Sequence, residues 1–90
     1  MIQDKKSLKL SRQQREITTG LMLGDGHLET QDNGRTYRLK VEHGVGQLDY
    51  VEWLYGQFRS VIPGRIYRRL RHGQYVHCGF RTYSIGSFRF

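Results

Sequence analysis

After Glu52 the chain contains no aspartate or glutamate, and after Lys40 it contains no lysine. It has one cysteine, Cys78, which excludes an internal disulfide, and one proline, Pro63. No apolar run approaches the ~20 residues that a membrane-spanning helix needs. The opening "MIQDKKSLKLSRQQ" lacks the basic-then-apolar order of a secretion signal. These absences predict an intracellular protein that is neither secreted nor membrane-bound. Ninety residues allow one small domain with a modest core.

The missing acids make the charge uneven. Residues 1–52 carry eight Lys plus Arg and eight Asp plus Glu, a net of zero. Residues 53–90 carry seven arginines (Arg59, Arg65, Arg68, Arg69, Arg71, Arg81 and Arg89) and so supply the whole excess of +7. Arginine presents a planar fork that meets phosphate and guanine edges bidentately. Interleaved with tyrosines, these arginines point to a polyanion, nucleic acid first, as the partner.

The period of the apolar residues orders the chain. Ser11 and Gln14 have the spacing of a capping box, and Ile17, Gly20, Leu21 and Gly24 then fall on one helical stripe. This first helix is expected to end at Gly26 in a left-handed conformation. Glycine inside a helix costs about 1 kcal/mol against alanine. Gly20 and Gly24 therefore imply a close approach on that side, by a partner helix or by the chain's own sheet.

Beyond Gly26 the period becomes two. His27, Glu29 and Gln31 alternate with Leu28 and Thr30, "DNG" at 32–34 marks a hairpin turn, and a return strand is expected over 35–42. A second helix is predicted over about 48–61, burying Leu48, Val51, Leu54, Tyr55 and Phe58. "RIYRRLR" and "YVHCGFR", joined by "HGQ", form a second hairpin, in which Arg68 falls among the apolar positions.

Helix, hairpin, helix, hairpin makes an α+β domain: an antiparallel sheet with both helices on one face and the other face open. The domain is expected to occupy 1–90, with 1–10 an N-terminal arm and 82–90 a tail. The open face would carry His27, Glu29, Gln31, Thr36, Arg38, Lys40, Arg65, Tyr67, Arg69, Arg71, Tyr75 and His77, a surface able to meet phosphates and base edges. His72, His77 and Cys78 match no usual zinc spacing.

"TTGLMLGDG", residues 18–26, resembles the LAGLIDADG motif of the homing endonucleases. Gly20, Gly24, Asp25 and Gly26 match its glycine, its small residue, its essential acid and its final glycine. Thr18 and Thr19 depart from it, as does Leu23, which stands where the motif has its first Asp. The order α-β-β-α-β-β, from about Leu10 to Arg81, is also the family's. The resemblance implies a homodimer through the first helix, with Ile17, Gly20, Leu21 and Gly24 at the interface and two copies of Asp25 at its base.

It further implies Mg²⁺ or another divalent cation held by Asp25 and the Gly24 carbonyl, with cleavage of double-stranded DNA as the reaction. His43 falls near a family position for a polar residue that orders the catalytic water, and Gln47 near one that is often basic; His43 could do either job or simply end the strand. The late lysine of the family has no counterpart, and the family continues past the point where this chain ends, as a truncated or a minimal domain would show. The alternative is a non-cleaving module, such as an RNA maturase-like protein or a degenerate regulator.

Overall fold

The computed structural model describes residues 8–24, 26–71, 73 and 75–88. Helix α1 spans Arg12–Leu21 and starts with the predicted capping box: Gln14 N–H donates to Ser11 Oγ at 3.1 Å, and Ser11 N–H donates to Gln14 Oε1 at 2.8 Å. Gln14 is also buried, because its Nε2 donates to the carbonyl of Gln57 at 2.8 Å and to Ser60 Oγ at 3.2 Å. One residue thus caps α1 and ties it to the end of the second helix. Thr18, buried beside it, donates its hydroxyl to the Gln14 carbonyl. Both polar side chains on the inner face are therefore satisfied, as burial requires.

The helix ends earlier than expected. Leu23 N–H bonds to the Gly20 carbonyl and Gly24 N–H to the Leu21 carbonyl, tightening the chain into a turn. Gly26 opens strand β1, Gly26–Glu29. The positive-φ glycines among the described residues are Gly34 and Gly73, so Gly26 is no left-handed helix terminus. Its reason for being glycine is proximity: a Cβ there would stand 2.8 Å from Leu21 Cβ.

Strand β2 spans Arg38–Gly44, so the first hairpin is joined by a loop over 30–37 rather than by a two-residue turn. Asn33 and Gly34 do take positive φ, 60° and 86°. Around them Asp32 accepts from Thr36 N–H at 2.9 Å and from Thr36 Oγ1 at 2.6 Å, and Thr30 donates to it at 3.0 Å. Those bonds, the Thr36 hydroxyl first, lower the Asp32 carboxyl to about 2. Side chains that close the loop on itself stop the ladder at Glu29 and Arg38.

Helix α2 runs Leu48–Gln57, and a single 3₁₀ turn, Arg59–Val61, completes the span expected to be helical. Val51, Leu54 and Phe58 are fully buried on the predicted stripe. Strands β3, Tyr67–Arg71, and β4, Tyr75–Arg81, form the second hairpin. The four strands are ordered β1-β2-β4-β3, every neighbouring pair antiparallel. Leu39, Val41, Cys78 and Phe80 face the helices, with Phe80 against the rings of Tyr55 and Phe58. Arg68 pairs with Cys78 on that same side and stays exposed. An inward-facing charge on an edge strand discourages pairing with another sheet.

Both predicted termini are corrected in part. Leu8 and Leu10 are buried in the core rather than free in an arm. In the expected tail, Thr82, Ile85 and Phe88 are buried, Ile85 exchanges two backbone hydrogen bonds with Tyr37, and Ser87 Oγ accepts from Leu10 N–H. No helix among the described residues is long and apolar enough to cross a membrane.

Candidate nucleic-acid interface

Because strand side chains alternate, the open face is fixed by register. His27, Lys40 and Arg81 form one row across β1, β2 and β4, and Glu29 stands opposite Arg38. Glu42, Gly79 and Tyr67 form the next row, across β2, β4 and β3, and His77 and Arg69 are paired in the row beyond. Arg71 is opposite Tyr75 at the far end. Nine of the twelve residues expected on this face thus hold strand positions that belong to it. Gln31 and Thr36 do not: both lie in the 30–37 loop, where the Thr36 hydroxyl is held by Asp32. Arg65 precedes β3 and is exposed.

Several of these side chains already have partners. Arg38 Nε donates to Glu29 Oε1 at 2.8 Å, and His27 Nε2 lies 3.9 Å from Glu29 Oε2. Burial would raise the Glu29 carboxyl, but the hydrogen bond and charge of Arg38, followed by Lys40 and His27, leave it lowered. An anion drawn to Arg38 must compete with the carboxylate already paired to it.

At the centre of the face Glu42 and Arg81 join the expected Tyr67, Arg69 and His77 in one cluster. Glu42 accepts from Tyr67 Oη at 2.9 Å and contacts His77 Nδ1 at 3.1 Å, with little of its carboxylate exposed. Tyr67 reaches it by lying across β4 at Gly79, where a Cβ would collide with the Val41 carbonyl and stand 3.0 Å from the Tyr67 hydroxyl. Burial first, then Glu42, pushes the Tyr67 phenol up to about 12. The guanidiniums of Arg69 and Arg81 lie 5.3 and 5.4 Å from the same ring's centroid. Arg81 Nε is buried without a hydrogen-bond partner among the described residues, a donor left unmet on the open face. The alternation Arg38, Lys40, Glu42 was the signal for Glu42, and Tyr75, His77, Arg81 the signal for Arg81.

His43 and Gln47 do not join them. His43 lies on the opposite face from Glu42, with its ring centroid 5.4 Å from that of Tyr50 on α2. One step along a strand reverses the side, so His43 is not part of the open face. Gln47 is exposed in the 3₁₀ connection to α2, outside every strand. Asp25 and His72 lie outside the described residues. Among the described residues no three His, Cys, Asp or Glu side chains cluster as a metal site. Burial raises the Cys78 thiol, as for a core residue.

The helix stripe divides. Leu21 is buried in the domain's own core, and half-buried Ile17 packs against that core. Among the described residues, a Cβ added at Gly20 on α1 or at Gly24 just beyond it would meet no atom within 4 Å. Leu23, beside them, is 89% exposed.

The LAGLIDADG DNA endonuclease family profile matches residues 15–90. The chain belongs to that family. The LAGLIDADG fold is also that of a solved structure, the homing endonuclease I-WcaI bound to its DNA recognition sequence, which superposes with a TM-score of 0.72 at 23% identity. That match covers 91% of this chain and 37% of the other. A stretch of 46 residues is 41% identical to Protein RecA of Mycolicibacterium thermoresistibile, covering 50% of this chain and 11% of that protein. The chain thus spans only a minor part of either of these two proteins.

Proposed function

We propose that this LAGLIDADG domain acts in a homing endonuclease, a homodimer that cuts double-stranded DNA with a divalent metal ion inside the cell. The observation that carries the reading is the pairing of an open, arginine-lined sheet with an uncovered glycine side on the adjoining motif helix. The sheet supplies a two-stranded ribbon of the kind that the major groove admits. Gly20 and Gly24 let a second α1 approach closely, and exposed Leu23 gives that contact apolar area. The match to a short stretch of a longer protein supports a domain carried within other reading frames, as an intron or intein product would be.

Asp25 and the Gly24 carbonyl would hold the ion. Both donors are oxygen, as hard Mg²⁺ prefers, and Gly24 stands at an exposed turn with room around it. When bound, the metal supplies an activated water and stabilises the leaving oxygen. Asp25→Asn is expected to abolish Mg²⁺-dependent nicking of a plasmid library while DNA binding in a gel-shift assay persists. Nicking that survives the substitution overturns the metal assignment. Gly20→Leu meets open space within one chain, so the domain should stay folded and sediment as a monomer. An unchanged sedimentation coefficient would remove α1 from the interface.

A further inference from the structure

On the basis of that DNA-binding reading, we infer that His77 is a base-specificity residue that accepts a hydrogen bond from the exocyclic amino group of adenine or cytosine, with Glu42 as the residue that positions it. The observation is the row geometry at the centre of the sheet. A carboxylate oxygen has only lone pairs to offer, so the 3.1 Å contact between Glu42 Oε2 and His77 Nδ1 places the proton on Nδ1. In a neutral imidazole the second nitrogen is then an acceptor, since the tautomer is set by the bond that the first one makes. The other oxygen of Glu42 accepts from Tyr67 Oη, so the carboxylate is held from two strands and cannot turn away freely.

The surroundings give that lone pair its meaning. Arg69, opposite His77, and Arg81 both lie over the Tyr67 ring, and guanidinium groups only donate. Donors of this kind suit guanine edges and phosphates, and an acceptor among them answers a different base. In the major groove adenine presents its N6 amino group and cytosine its N4 amino group, whereas guanine and thymine present carbonyl oxygens at the corresponding places. The side chain of His77 is 33% exposed on the open face, within reach of a base edge.

The test is selection of a randomised duplex library on the full chain, with EDTA present to prevent cutting. The wild type is expected to enrich adenine or cytosine at one position of its site. His77→Phe should erase that preference, about fivefold to tenfold, at this position only. Glu42→Gln should admit guanine at the same position, because an amide can donate to Nδ1 and so release the other tautomer. Thermal unfolding of both variants confirms that they are folded. A preference kept at every position by His77→Phe overturns the inference, as does weakening spread evenly over the site. Absence of any sequence enrichment by the wild type overturns the DNA-binding reading itself.

Discussion

Phe88→Ala is expected to lower the unfolding free energy by about 3–5 kcal/mol, measured by urea denaturation followed by far-ultraviolet circular dichroism. Phe88 is 1% exposed, and its ring centroid lies 6.5 Å from that of Phe58, which also touches Phe80. The ring thus closes the core that covers β2 and β4. Its segment is pinned on both sides, by the Tyr37–Ile85 bridge and by the bond from Leu10 N–H to Ser87 Oγ. The surroundings cannot collapse far into the space left, so the cavity term adds to the lost burial. Small domains hold only about 5–15 kcal/mol in total, which makes this a large fraction. A loss below about 1 kcal/mol would show that 82–88 is an appendage and not part of the core.

Gly79→Ala is expected to cost about 3 kcal/mol or more, because the obstacle is backbone rather than the end of a flexible side chain. The added methyl would meet the Val41 carbonyl and come within 3.0 Å of Glu42 Cα, both on the neighbouring inner strand. The pairing of β2 with β4 joins the two hairpins in the sheet order, so moving them apart divides the domain. The same methyl sits in the path of Tyr67 toward Glu42, so any folded remnant should also lose the Tyr67–Glu42 bond. Thermal unfolding measures the first effect, and the phenol titration of Tyr67 measures the second: it should fall back from about 12 toward the ordinary value of 10.0. A variant as stable as the wild type would mean that β2 and β4 are not held at this spacing.

The strands and helices were legible because period and capping are local. Ser11 and Gln14 announced α1, and Val51, Leu54 and Phe58 announced the inner side of α2. Alternation along the four strands places nine of the twelve expected residues on the open face even though Arg68 breaks the pattern. Misplacements occur where one local signal competes with another. "DNG" does turn the chain, but Thr30, Asp32 and Thr36 close a longer loop around it. Glu42 goes unnoticed beside His43, although it shares the parity of Arg38 and Lys40.

The sequence by itself determined the element order, the basic open face and the family motif, since these depend on residues close together in the chain or on composition. Tertiary structure alone decided which glycines touch something: Gly26 and Gly79 leave no room for a side chain, while among the described residues a Cβ at Gly20 or Gly24 meets nothing. It alone brought Leu8, Leu10, Ile85 and Phe88 into one core from opposite ends of the chain. It alone joined Glu42, Tyr67 and His77, which lie on three strands and meet because β4 inserts between β2 and β3. Strand pairing between distant segments is set by the shared burial of their apolar faces, and no short window of sequence contains both partners.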